Sequence, residues 1–194
     1  MGRQVKLGSF QSTYSPILIA AIDMRFLVQT FTLGVLLASS MAQQLPENEQ
    51  TYRIAELNPF NRAASMAVRA RDSNIIVNNF APTADNKLSQ HWVIKDLNTQ
   101  DNTTALWNPQ KEKYAGYSGT PTFDTTITLV DTPTKFQLIY RRGAGFWIAI
   151  PNANQGSNRL VMVRGPLGTE NRVILRPQNT RSSSFQTWNF TTPA

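Results

Sequence analysis

An all-β chain made of three repeats, four strands each, is predicted by three observations. Short β-rich segments recur from Gln43 onward, separated every 8–15 residues by clusters of Asn, Asp, Gly, Pro, Ser and Thr, and no window keeps a helical period. A Gln-x-Trp run occurs twice, as Gln90-His91-Trp92 and Gln186-Thr187-Trp188, with the tryptophans 96 residues apart. Near their midpoint lies Phe136-Gln137-Leu138-Ile139-Tyr140, an apolar run of similar shape without the tryptophan. Positions 92, 138 and 188 therefore mark a unit of roughly 45–50 residues used three times. A four-strand unit cannot bury its apolar face alone, so repetition at this period points to a symmetric closed structure. Twelve short strands in three fourfold units describe a β-trefoil, a six-strand barrel capped by three hairpins. A β-sandwich or jelly roll does not call for a threefold period.

The elements follow in chain order. In the first unit, strands are expected over 52–55, 65–69, 74–77 and 90–94. In the second they are expected over 104–107, 113–117, 125–130 and 136–140, and in the third over 146–150, 160–163, 172–175 and 186–190. The repeats then span about 50–98, 99–142 and 143–192 of a single domain covering 43–194, as 41% apolar content in a 194-residue chain allows.

Residues 1–42 read differently. Met24-Arg25 precedes a 12-residue apolar stretch from Phe26 to Leu37, and the small residues Ala38-Ser39-Ser40-Met41-Ala42 follow. A cationic start, a short apolar core and a small-residue end make a secretory signal peptide, with cleavage expected after Ala42. The apolar run is short for a membrane span of about 20 residues, and Asp23 and Arg25 interrupt its upstream extension. Met24 suits a signal-peptide start better than Met1, so residues 1–23 are expected to be an extension or leader. A secreted, extracellular product without stable membrane insertion is the consequence. The sequons at Asn102 and Asn189 suit a secreted glycoprotein. The chain has no cysteine, which excludes thiol catalysis, disulfides and Cys-based zinc sites. A core of this size holds a domain together without disulfides.

Gln-x-Trp closing the first and third units makes the chain resemble the ricin B-type lectin family of β-trefoils over about residues 50–192, and a fungal source is an expectation of the same resemblance. The resemblance implies that Trp92, Leu138 and Trp188 pack in the pseudo-threefold core, with the glutamines hydrogen-bonded to nearby backbone. It also implies sugar sites elsewhere in each unit: an Asp on the second strand, an aromatic at or after the third, and an Asn or Gln before the last. The second-strand cores Ser65-Met66-Ala67-Val68, Lys113-Tyr114-Ala115-Gly116 and Leu160-Val161-Met162-Val163 lack that Asp, Ala67 standing nearest its place. The first unit keeps the most polar pocket edge. Asp72 can supply a carboxylate, Phe80 a stacking face, and Asn78, Asn79, Asn86 and Gln90 amides. Each also has a turn or anchor reading, Asp72-Ser73 and Asn78-Asn79 above all. The second unit offers Asp124, Asp131 and Tyr117, and the third Asn171 after Glu170.

From Gln43 onward 16 Lys and Arg stand against 11 Asp and Glu, a net charge of about +5. Seven arginines (141, 142, 159, 164, 172, 176 and 181) face Glu170 alone in the last third. Arginine forks suit sulfate, carboxylate and phosphate. The one histidine, His91, lies inside a Gln-x-Trp run, and no nucleophile elbow, phosphate loop or metal-ligand cluster is present. Gly143-Ala144-Gly145 reads as a hairpin turn. The expected function is therefore non-enzymatic binding of glycans or glycoproteins, with no metal and no cofactor. A trefoil protease inhibitor of mycocypin or Kunitz type, with a protease as partner, is the alternative, and polyanion binding through the arginine-rich third a further one. Nucleic acid is not an expected partner, because the chain is read as secreted and has no recognisable binding motif.

Overall fold

A computed structural model describes residues 45–57, 64–79, 88–156, 158–166, 170–179 and 186–193. The expected signal peptide, Phe80 and Asn86 lie outside these residues. The described residues fall within one compact unit, Gln44–Ala194.

Twelve strands form, four to a repeat, at the places the sequence predicts. Repeat 1 holds β1 (Thr51–Glu56), β2 (Ala64–Val68), β3 (Ile75–Asn79) and β4 (His91–Asn98). Repeat 2 holds β5 (Thr103–Asn108), β6 (Lys113–Gly116), β7 (Thr128–Val130) and β8 (Phe136–Arg141). Repeat 3 holds β9 (Gly145–Gln155), β10 (Asn158–Arg164), β11 (Val173–Pro177) and β12 (Trp188–Thr191). The first and fourth strands of each repeat pair antiparallel around a closed ring, β1–β4–β5–β8–β9–β12 and back to β1. Closure leaves this barrel no free edge. Along β1 every second residue, Tyr52, Ile54 and Glu56, is buried, as the two-residue period of a strand requires.

The second and third strands make the hairpins β2–β3, β6–β7 and β10–β11 that close one end. Isolated bridges join them in a second ring, Asn74 to Thr128, Thr126 to Ile174 and Ile76 to Arg172. At its centre Ile75, Ile127 and Val173 are fully buried, and the Ile75 amide donates to the Ile127 carbonyl at 3.2 Å. This ring explains why β7 is shorter than the 125–130 expected. Residues 125–127 pair with β11 instead, where Leu175 N donates to the Thr125 carbonyl and Ile127 N to the Val173 carbonyl, both at 2.9 Å. Conversely β9 outruns its expected 146–150, because it continues past the barrel into the hairpin with β10, as far as Gln155 opposite Asn158.

The core is continuous through both rings, with Trp92, Leu138 and Trp188 all at 0% exposure beside Ile54, Leu106 and Ile148. The β8–β9 hairpin turns at the expected glycines, with Ala144 N donating to the Arg141 carbonyl at 2.8 Å. Gly145 has φ +77°, and a Cβ there would lie 2.5 Å from the Trp188 carbonyl oxygen and 2.7 Å from Asn189 Oδ1. Gly143 has φ +70° but open space around it. Gly145→Ala should therefore lose about 2–3 kcal/mol, combining left-handed strain with a backbone clash, whereas Gly143→Ala should lose only the strain, about 1 kcal/mol. Urea midpoints of the two variants check this, and equal losses would refute the clash at Gly145.

Candidate functional site

The two Gln-x-Trp runs are built alike. Trp92 Nε1 donates to the Met66 carbonyl and Trp188 Nε1 to the Met162 carbonyl, each at 3.0 Å, tying the last strand of a repeat to its second. Gln90 Nε2 donates to the Asn79 carbonyl at 3.0 Å and Gln186 Nε2 to the Pro177 carbonyl at 3.1 Å, tying it also to the third. In repeat 2, Phe136 and Leu138 hold the corresponding positions, both fully buried. An apolar pair there replaces a hydrogen-bonded one. The motif thus fixes a hairpin against the barrel rim and leaves a depression beside it.

In repeat 1 that depression is a cleft of about 220 Å³, smaller than the ~300–1,000 Å³ pockets that engulf drug-sized ligands, so a bound ring would stay partly in solvent. Ala67 forms part of its wall, with Asn78 from the end of β3 and Ser89 and Gln90 from the motif. The opposite wall comes from the next repeat, through Gln110 and Lys111 in the turn after β5. Asn108, fully buried, sets that wall in place. Its Nδ2 donates to the His91 carbonyl at 2.9 Å, and its Oδ1 accepts from Lys111 N at 3.1 Å. Gln90 is 1% exposed, and its Oε1 has no hydrogen-bond partner among the described residues, whereas Gln186 Oε1 accepts from Asn179 N at 2.8 Å.

The sequence candidates divide accordingly. Asn78 and Gln90 line the cleft, and Asn79 contributes the carbonyl that holds Gln90. Asn78 Oδ1 accepts from Asn79 N at 2.9 Å, the local turn reading of that pair. Asp72 is exposed in the β2–β3 turn, where its Oδ1 accepts from Asn74 N at 2.9 Å. Slight desolvation acts to raise its pKa, but hydrogen bonds from Asn74 and the charges of Arg69 and Arg71 hold it below the usual carboxylate range. Arg69, Gln110, Lys111 and Asn108 were not picked out by the sequence. Asn108 had a usable signal, a polar residue ending a strand just before a turn; Arg69 directly follows β2 in repeat 1, and Gln110 and Lys111 reach the cleft only through the contact between repeats.

Arg69 also joins repeat 1 to repeat 3. Its side chain is 10% exposed, and Nη1 pairs with Glu170 and, at 3.5 Å, with Asp72. Arg71 pairs with the same glutamate at 2.6 Å and Arg172 at 3.4 Å. Hydrogen bonds from Arg69 first, then Arg71, bring the Glu170 pKa down to about 2. Four further arginines of the last third are engaged by the protein itself. Arg141 lies 4.0 Å over the Trp147 ring, and Arg159 donates to Gln137 Oε1 at 3.0 Å. Arg164 reaches Glu56 at 3.4 Å, and Arg176 reaches Asp124 at 2.6 Å and stacks 4.2 Å over Phe123. The carboxylates that balance this stretch come largely from repeats 1 and 2. Asp131 pairs with Lys113 at 3.0 Å, and burial raises the Tyr117 pKa. Asn171 lends its carbonyl to Val77 N at 2.8 Å.

Asn102 sits with φ +57° in the β4–β5 turn, its carbonyl accepting from Leu138 N at 2.8 Å, while Asn189 is within β12 opposite Ala55. Among the described residues, no three His, Asp or Glu side chains converge on a position that could hold a metal ion.

Several solved structures share this architecture. A ricin B-like lectin from Macrolepiota procera, solved with lactose, superposes with TM-score 0.62 at 20% identity, covering 77% of this chain and 100% of its own. The Rhizoctonia solani agglutinin gives 0.60 at 15% identity, covering 77% and 99%. A designed threefold-symmetric protein, ThreeFoil, gives 0.59 at 12%, covering 74% and 99%. No protein-family model matches the chain, and no curated protein matches it in sequence. The fold is the β-trefoil of the ricin B-like lectins.

Proposed function

We propose that this chain is a secreted, non-enzymatic carbohydrate-binding protein whose sugar site is the repeat-1 cleft. The observation that carries this reading is the cleft's lining. Asn78, Ser89, Gln90 and Gln110 bring amide and hydroxyl side chains to the lining of a shallow cleft, and the Gln90 Oε1 acceptor has no hydrogen-bond partner among the described residues. Neutral hydroxyl-rich ligands are recognised by such convergent donors and acceptors. Phe80 and Asn86 belong to the proposed edge on sequence grounds, as does Asp72 on the adjacent turn. The lactose in the Macrolepiota structure supports the ligand class. Asn102, in a turn, is the proposed glycosylation site ahead of Asn189 in a barrel strand. Export depends on cleavage after Ala42, which N-terminal sequencing of the secreted product would locate.

A glycan array probed with the chain from Gln43 onward is the direct test, with retention of at least one saccharide expected. Mutating Asn78 to Ala should weaken that retention about tenfold, since it removes a polar side chain from the cleft's lining. An array without signal at high protein concentration would end the proposal.

A further inference from the structure

We infer that the repeat-1 cleft selects saccharides bearing an anionic group, a carboxylate or a sulfate ester, over their neutral counterparts. This rests on the proposed carbohydrate binding and sharpens it to a ligand class. Among the described residues, those lining the cleft include two cations, Arg69 and Lys111, and no Asp or Glu. A carboxylate in the wall would accept hydrogen bonds from two neighbouring hydroxyls of a neutral sugar, and such charge-assisted bonds are the strong ones. The wall presents the methyl of Ala67 instead, 2% exposed. The charged groups among these lining residues are donors alone, with Asp72 outside the lining on the adjacent turn, so an acceptor charge on the ligand would complement them.

The two cations differ in a useful way. Arg69 is held in position: Nη1 is committed to Glu170 and Asp72, while Nη2 is buried with no partner. Its surroundings do not cancel it. Arg69, Arg71 and Arg172 stand against Glu170 and Asp72, leaving one positive charge in excess. Lys111 sits across the cleft on the turn that Asn108 anchors, and it makes no ion pair among the described residues. Only its backbone N–H takes part in the fold. A fixed guanidinium and an exposed ammonium without an ion pair among the described residues, both lining the cleft, suit a tetrahedral or planar oxyanion carried by a bound ring.

The test uses matched ligands, lactose against 3′-sulfated lactose and galactose against galacturonate, titrated into the chain from Gln43 onward. In each pair the acidic member should bind about tenfold tighter at low salt, with the advantage shrinking as ionic strength rises. In Lys111→Glu the ratio of acidic to neutral affinity should fall to about one or below. Because that side chain is exposed and outside the fold's hydrogen bonds, Lys111→Ala should remain folded and show an intermediate ratio. Binding of lactose or galactose with no advantage for either acidic partner would overturn this inference and leave sugar binding standing. A preference unchanged in Lys111→Glu, or competition by free sulfate or acetate as potent as by the acidic sugar, would also overturn it. Silence from all four ligands together with an empty array would bring down the proposed function itself.

Discussion

Replacing Glu56 by Gln is expected to abolish a loss of stability that the native chain suffers between about pH 4.5 and 7. Glu56 ends β1, directly opposite Trp188 on β12. Its side chain is 0% exposed, and among the described residues neither oxygen has a hydrogen-bond partner and its one ionic neighbour is Arg164 at 3.4 Å. Burial raises its pKa from 4.5 to about 7, against the opposing pull of Arg164. The threefold register explains the discomfort. With Val93 opposite Trp107, the next residue Asn108 faces Trp92, and Ile148 faces Leu138. The amide of Asn108 donates to the motif strand, at 2.9 Å to the His91 carbonyl. An ionised carboxylate at the Glu56 position has no proton to offer the equivalent carbonyls, whereas a protonated one does. The folded pKa lies above the unfolded one, so the folded state holds the proton through the window. The associated stability is fully present below about pH 4.5 and is lost as pH rises towards 7. The shift corresponds to roughly 3 kcal/mol. Glu170 acts in the opposite sense, its contribution disappearing as pH falls from 4.5 towards its folded value of about 2. Urea midpoints at half-unit pH steps should show a maximum near pH 4.5–5 for the native chain. Glu56→Gln should match it there and stay flat to pH 8. A native profile already flat between pH 5 and 7.5 would refute the assignment.

The parts of the molecule legible in the sequence are those set by local pattern. Strands such as Tyr52–Ile54 declare themselves by alternation, and the tryptophans declare the repeat, because in repeats 1 and 3 a large buried ring with one donor ties the last strand to the second. What stayed hidden depends on register and on contacts between repeats. Nothing around Glu56 in sequence marks it as the counterpart of Asn108, since that equivalence exists only once β1 is paired with β12 and β5 with β4. The cleft suffered the same blindness. One wall, with Asn78 and Gln90, is local to its repeat and open to a reading of local pattern; the other, with Lys111, belongs to the next repeat. The apparent basic excess of the last third was likewise a property of chain order, since Arg164 and Arg176 find their carboxylates at Glu56 and Asp124.

Trp188→Ala should be the most damaging single truncation among the motif residues, costing about 3–5 kcal/mol. The ring is completely buried where β12 meets both β1 and β9, opposite Glu56 on one side and Phe146 on the other. Removing it opens a cavity at the seam that joins the last strand of the chain to the first. It also strands the Met162 carbonyl, which accepts from the indole at 3.0 Å, and a buried acceptor left unpaired adds about 1 kcal/mol or more. Repeat 2 supplies the internal comparison, because Leu138 does the same packing work with no donor. Trp188→Leu should therefore recover part of the lost volume but not the hydrogen bond, and fall between the native chain and Trp188→Ala. Trp92→Ala should resemble Trp188→Ala, since its indole bond to Met66 has the same 3.0 Å length and spans the same 26 residues. Chemical denaturation followed by near-ultraviolet circular dichroism would rank the four chains. A loss under about 1.5 kcal/mol for Trp188→Ala would mean that the barrel closes without it. The threefold reading of the motif as a structural clamp would then fail, and its conservation of form between repeats 1 and 3 would need a ligand to explain it.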